Sequence, residues 1–273
     1  MRVDAHQNYW QIGRNGQTWP GADLPAICRD FLPGALEPHL AALAIDATVA
    51  VQSQPDSRDT TWLLDLADRT PSIAGVVGWM DLKAPDADRR LSDLAGHPRL
   101  RGIRPMLQDL PTDWILDPAV APAIETMVDH GLVFDALIRP RHISAIAQFA
   151  RAHPRLTIVV DHAAKPDIAS GDRAGWARSL FDLAECPNVH CKLSGLITEA
   201  AADWCPEDIG PYIGDVVRLF GAERTMWGSD WPVMLLGGDY RGWHDLVTDR
   251  VAALGEGACD AIFGGTAAKV YRL

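Results

Sequence analysis

Short apolar runs rich in β-branched residues recur along the chain at intervals that suit an alternation of strands and helices. Runs that are apolar at nearly every position are typical of parallel strands buried on both faces. The pattern predicts eight strands, at residues 2–6, 47–53, 73–79, 100–104, 132–137, 156–161, 189–194 and 225–230. Amphipathic stretches rich in Ala and Leu separate most of them, and the clearest predict helices at 58–69, 119–130 and 142–153.

Eight strands with helical crossovers favour a single (β/α)8 barrel, one domain spanning residues 1–273, over an open doubly wound sheet. An open sheet usually carries a glycine-rich phosphate loop, and the chain contains neither GxGxxG nor GxxxxGKS/T. The segment 7–46 is longer than a normal strand-to-helix connection and is rich in Trp and Pro. We therefore expect 7–46 to form a long loop that lies over the barrel mouth.

The net charge of −11 and pI of about 5.2 argue against nucleic acid or an anionic membrane surface as a partner. The five cysteines are scattered without a CxxC pair, which predicts reduced thiols and no thiolate zinc site. The chain enters its first strand without a signal sequence, and no apolar run is long enough for a membrane helix. We expect a cytoplasmic protein with a small-molecule substrate, and the sequence leaves open whether it forms a homo-oligomer.

Polar residues interrupt the apolar strands at their carboxyl ends, where barrel enzymes place their chemistry. On the first strand Asp4, His6 and Asn8 alternate, so regular pleating predicts that they share one face. The other interruptions are Gln52–Ser53–Gln54, Arg104, Asp161–His162, Lys192, Ser194 and the run 228–232. Because six strands place polar groups at the same rim, the pattern favours an active site there.

Each of these residues taken alone also has a structural explanation. A histidine at a strand end is often a satisfied structural group, and Asp230 has the position of a helix N-cap. A structural role for Arg104 would be to pair with a buried carboxylate. A structural role for Lys192 would be to extend its aliphatic stem so that the ammonium reaches solvent outside the barrel. Only their convergence on one rim separates the two explanations.

Six motifs in chain order resemble the sugar-lactonase branch of the amidohydrolase superfamily, at residues 4–10, 101–104, 161–166, 191–196, 228–232 and 264–268. The branch includes L-fucono- and L-rhamnono-lactonases and, more distantly, pyrone-dicarboxylate lactonases. The resemblance implies a barrel hydrolase that opens aldono-1,4- or 1,5-lactones of the L-fucono or L-galactono type. It also implies that Asp230 activates the attacking water, that His6 and His162 are active-site histidines, and that Arg104 and Lys192 contact the substrate.

A lactone hydrolase needs a base for water, a donor for the carbonyl oxygen and partners for the sugar hydroxyls. We assign Asp230 as the base, and His6, Arg104 or His162 as the group that polarises the carbonyl. A carboxylate beside cations is expected to stay ionised well below neutrality. The substrate-binding candidates are Asn8, Gln54, Trp79, Arg104, Gln108, Lys192 and Trp231, with Trp10 as a further aromatic face.

Two departures from the superfamily pattern bear on metal binding. The second histidine of the first-strand HxH motif is Asn8, and the fifth strand, 133–137, lacks the histidine found in many metal-dependent relatives. A catalytic zinc normally keeps three protein ligands, and a neutral amide is a poor one. We therefore predict that no cofactor is required; a divalent metal such as zinc, if present, would be held by His6, His162 and Asp230.

Three alternative functions stay open at this stage. A dicarboxylate lactonase would need several converging arginines, for which Arg104, Arg139 and Arg141 are available. A lactone isomerase would move the ring closure without adding water, and product analysis by NMR separates it from a hydrolase. A non-catalytic sugar-binding barrel would show no turnover on aldonolactones.

Overall fold

The computed structural model describes residues 1–273 and contains one sheet of eight parallel strands in the order β1 to β8. The strands are β1 Val3–Gln7, β2 Ala47–Val51, β3 Ile73–Gly78, β4 Leu100–Ile103, β5 Val133–Ala136, β6 Ile158–Val160, β7 Val189–Leu193 and β8 Thr225–Trp227. All eight predicted strands are present, and the predicted (β/α)8 barrel is confirmed. The predicted strands extend beyond the observed ones mainly at their carboxyl ends, where the rim residues no longer pair with the neighbouring strand, as after β6 and β8.

The barrel closes between β1 and β8 just beyond the end of β8. Gln7 forms a parallel bridge with Trp231, and the Asp230 N–H donates to the His6 carbonyl at 2.8 Å. A Cβ added at Gly228 would lie 2.7 Å from the His6 Cβ, so glycine is what lets the two strands approach here. The seam of the barrel therefore brings His6 and Asp230 next to each other.

Ten α-helices surround the sheet or follow it. They are α1 Pro33–Ala42, α2 Ser57–Arg69, α3 Ala87–Ala95, α4 Ala121–His130, α5 Ile143–Ala152, α6 Arg173–Ala184, α7 Pro206–Phe220, α8 Tyr240–Val251, α9 Glu256–Asp260 and α10 Thr266–Tyr271. The three predicted helices correspond to α2, α4 and α5. No helix combines the length and the apolar character that crossing a bilayer requires.

The prediction that the whole of 7–46 is loop is wrong for α1. Pro33 lies at the start of this helix, where its missing N–H would have no helical partner in any case. Pro38 lies inside the helix, where proline is disfavoured, and this composition concealed the helix in the sequence. The remaining loop is anchored by Trp10 and Phe31, whose backbones exchange two hydrogen bonds of 3.0 Å.

Small and β-branched side chains fill the barrel interior, and α10 closes it at the amino-terminal end. Val3, Ala5 and their counterparts on other strands form a buried cluster that also contains Ala267 and Tyr271 of α10. A larger apolar cluster of 68 residues packs the sheet against the helices. The carboxyl-terminal end of the barrel is thereby left for polar groups.

Candidate active site

Asp161 lies at the centre of the polar cluster in the barrel mouth. It follows β6 directly, and its Oδ1 lies 3.4 Å from His6 Nδ1 and 3.0 Å from Lys192 Nζ. Its Oδ2 accepts a hydrogen bond of 3.2 Å from Arg104 Nη1. Burial alone would raise the pKa of Asp161, but Lys192, His6 and Arg104 outweigh burial and hold it well below its usual value.

Arg104 and Lys192 both form hydrogen bonds and ion pairs with other residues of the site. The Arg104 guanidinium donates to the Gln52 carbonyl as well as to Asp161, which supports the alternative that Arg104 pairs with a buried carboxylate. Lys192 is fully buried, and its ammonium donates to Asp135 Oδ2 at 2.6 Å. A contact between Lys192 and substrate stays a prediction, because the side chain has no exposed surface.

Asp135 and Tyr271 continue this network below the mouth. The Tyr271 hydroxyl, from α10, donates to Asp135 at 2.8 Å, and Asp135 in turn accepts from Lys192. Burial raises the pKa of Asp135 to about 6 against the opposing charge of Lys192. A carboxylate and an ammonium are thus paired inside the barrel at the fifth strand, which carries no histidine.

His6 is a neutral imidazole between two cations. Its Nδ1 lies 3.3 Å from Lys192 Nζ, and its Nε2 lies 3.4 Å from Arg104 Nη1. Burial, with a smaller effect of the two cations, lowers the pKa of His6 to about 3 against the opposing effect of Asp161. Asp4 does not join this group: the register of β1 shifts beyond Asp4, whose carboxylate accepts from Ser229 and Tyr240 instead.

Asp230 faces both histidines from the segment that follows β8. Its Oδ1 lies 3.7 Å from His6 Nε2 and 3.9 Å from His162 Nε2, and it accepts a hydrogen bond of 3.4 Å from Asn8. Its backbone has a φ of 57°, a left-handed conformation that costs energy in a residue with a Cβ. The structure thus brings the predicted catalytic residues together at the barrel seam.

The expectation that Asp230 stays ionised well below neutrality is wrong. Burial raises its pKa to about 7, although Lys165 and Arg104 act to lower it. Asp161 adds its own negative charge to the effect of burial, while Arg104 is already shared with Asp161. Asp230 therefore changes between acid and base near neutral pH, which suits a group that must take up and release a proton.

The turn after β6 holds His162 in a strained backbone. Four successive residues, 162–165, have left-handed φ values between 50° and 62° although none is glycine. The Trp176 indole donates to the Ala163 carbonyl at 2.8 Å, and His162 Nδ1 lies 2.8 Å from Ser194 Oγ. A Cβ at Gly195 would lie 2.6 Å from the His162 ring, so the imidazole packs directly on this glycine.

The remaining sequence-predicted site residues lie around this centre. Gln54, after β2, donates from its amide to the Trp19 carbonyl at 3.4 Å, and Trp79 follows β3. Gln108 lies in a short helical turn after β4 and is partly exposed. Trp231 and Trp10 are buried and belong to an edge-to-face aromatic cluster around Phe31. Substrate contacts for these side chains stay predictions.

Asp161 and Asp135 are the two central residues that sequence reasoning did not assign to the site. The position of Asp161 at the end of a strand, directly before His162, could have indicated a site residue. The indication for Asp135 is weaker: it is an acidic residue inside the apolar run 133–137. A buried carboxylate in an apolar strand needs a cation, and Lys192 was the candidate available.

Three side chains lie close enough together to share one metal ion. Donor atoms of His6, Asp161 and His162 are all within 4.8 Å of one another. The metal ligands expected from the sequence were His6, His162 and Asp230, so in the structure Asp161 takes the place of Asp230. The ligand atoms of His6 and Asp161 also face Arg104 or Lys192 at 3.0–3.4 Å.

The sequence matches the model of an amidohydrolase family over residues 3–273. The chain belongs to this amidohydrolase family. It is 50% identical to an L-fucono-1,5-lactonase of Burkholderia ambifaria, in an alignment that covers 100% of this chain and 96% of that protein. It is 37% identical to an L-fucono-1,5-lactonase of Burkholderia multivorans, with the same coverage of both chains.

A solved structure of a Burkholderia multivorans amidohydrolase with bound zinc has the same architecture. It superposes with a TM-score of 0.95 at 36% identity, over 100% of this amidohydrolase and 99% of that chain. The agreement in fold extends over the whole chain. The predicted membership of the amidohydrolases is confirmed.

Proposed function

We propose that this amidohydrolase hydrolyses sugar lactones of the L-fucono-1,5-lactone type, with Asp230 as the general base. The observation that carries the proposal is the position of the Asp230 carboxylate at the barrel mouth, 3.7 Å from His6 Nε2 and 3.9 Å from His162 Nε2, with a pKa raised to about 7. The barrel is 50% identical to an L-fucono-1,5-lactonase over its whole length. His6, His162 and Asn8 surround that carboxylate and supply polar contacts for a hydroxylated ring.

The reaction needs one proton to move twice. Ionised Asp230 takes a proton from water as the water oxygen bonds to the lactone carbonyl carbon and the π pair moves to the carbonyl oxygen. The pair on the carbonyl oxygen then re-forms the C=O bond as the bond from that carbon to the ring oxygen breaks, and the ring oxygen receives the proton from Asp230. The product is an open aldonic acid, and Asp230 is ionised again.

We propose further that this hydrolysis does not depend on a divalent metal. The donors of His6, Asp161 and His162 form a compact set, but the charge around them does not fit such an ion. Lys192 and Arg104 contact both carboxylate oxygens of Asp161 and both ring nitrogens of His6. A dication among these ligand atoms would meet the positive charges of Lys192 and Arg104 in a buried site, where repulsion is weakly screened.

The alternatives have less support. Arg139 and Arg141, which a dicarboxylate lactonase would need beside Arg104, are exposed outside the central cluster. A pure sugar-binding barrel has no need for a carboxylate whose pKa lies near neutrality. A lactone isomerase would use the same base, so product analysis has to exclude it.

A panel of lactones tests the proposal. Purified enzyme is assayed on L-fucono-, L-galactono- and D-glucono-lactones, with buffer blanks because lactones open spontaneously, and the products are identified by NMR. We expect the largest kcat/KM on the L-fucono or L-galactono lactone and an aldonate as product. Turnover no faster than buffer across the panel, or an isomeric lactone as product, would overturn the assignment.

A further inference from the structure

Lys165 is a cation at the barrel mouth with most of its hydrogen-bonding capacity unused. Its Nζ approaches the Glu199 Oε1 at 3.7 Å, which is too long for a hydrogen bond. The side chain is only 19% exposed, and an ammonium carries three donors. Arg104 and Lys192, by contrast, already donate to Asp161, Asp135 or backbone carbonyls.

The strained turn after β6 places Lys165 three residues after His162, next to the site. Lys165 closes the left-handed run 162–165, and its N–H donates to the His162 carbonyl at 2.8 Å. Glu199 ends the short helical turn Ile197–Glu199 after β7, so the pair spans two neighbouring rim loops. Left-handed backbone in non-glycine residues is costly and concentrates at functional sites.

The charge of Lys165 also acts on Asp230. After the effect of burial, Lys165 lowers the pKa of Asp230 more than any other group does, including Arg104. The Lys165 ammonium is therefore near enough to Asp230 for its charge to act on that carboxylate. A cation in this position stabilises negative charge that develops on the carbonyl oxygen.

We propose that Lys165 is a catalytic residue that donates a hydrogen bond to the lactone carbonyl oxygen as that oxygen becomes negatively charged. This role rests on the proposed lactonase function. Lys165 keeps its proton throughout, while the proton of the attacking water moves to Asp230 and then to the ring oxygen. Glu199 holds the ammonium loosely between turnovers and releases it to the substrate.

The test compares Lys165→Met with the charge-conserving Lys165→Arg on two lactones. One is a hydroxylated aldonolactone, and the other is δ-valerolactone, which has no hydroxyl groups. Lys269→Met is the matched control, because Lys269 lies on α10 at the opposite end of the barrel. Lys165→Gln gives a second neutral variant, and thermal unfolding of every variant checks that it is folded.

We expect Lys165→Met and Lys165→Gln to lower kcat by about 10²–10³ on both lactones, with little change in KM. Lys165→Arg should restore part of the rate because a guanidinium also donates to an oxyanion. A loss confined to KM on the hydroxylated lactone, or no loss, would overturn the role while leaving the lactonase assignment intact. Failure of the wild-type enzyme on every lactone would instead refute the proposed function, and this role with it.

Discussion

Replacing Asp230 with Asn is the sharpest test of the mechanism. The amide has nearly the same shape as the carboxyl group, so the contacts to Asn8 and His162 are largely preserved. It cannot accept a proton from water, so general-base catalysis is lost. A positioned base typically contributes about 10²–10⁴ in rate, which corresponds to about 3–5 kcal/mol in the activation free energy.

The pKa of Asp230 adds a pH signature to this loss. With a pKa of about 7, the base form dominates only above neutral pH. The ionised fraction is roughly one half at pH 7 and roughly one tenth at pH 6, so the rate should fall about fivefold between pH 7 and pH 6 and about tenfold per pH unit below that. In Asp230→Asn this acid limb should disappear, and the small residual rate should be flat between pH 5 and 7.

The assay follows lactone opening by the proton released, over pH 5 to 8.5, with a buffer blank at each pH. Asp239→Asn is the matched control. Asp239 is an exposed helix cap that accepts from the Gly242 N–H at 2.9 Å, and asparagine caps a helix equally well. A wild-type rate that does not vary with pH, or near-full turnover by Asp230→Asn, would refute the assignment of Asp230 as the base.

Two further predictions follow from the geometry around His6 and His162. Exhaustive chelation should leave kcat unchanged; if activity is lost and added zinc restores it, His6, Asp161 and His162 are metal ligands after all. Gly195→Ala should lower both Tm and kcat, because its φ of 63° costs a Cβ residue about 1–2 kcal/mol and the new methyl would displace the His162 ring. Gly214→Ala, in the interior of α7 with open space around it, is the control and should not reduce Tm.

The sequence by itself determined the barrel and the rim that carries the site. Eight apolar runs with helical stretches between them have few other ways to bury both faces of their strands. Since the carboxyl ends of parallel strands meet at one edge, His6, Arg104, His162 and Asp230 had to lie near one another. These conclusions depend only on residue types and on the order of the elements.

The tertiary structure decided which of these groups contact each other and in which state. Asp161, rather than Asp230, lies between the two cations, because closure at the seam of β1 and β8 brings Asp230 toward the histidines instead. The pKa of Asp230 near 7 results from burial, which depends on the packing of loops that are distant in sequence. Distance and desolvation are properties of the closed barrel, so strand patterns alone could locate Asp230 but not its charge.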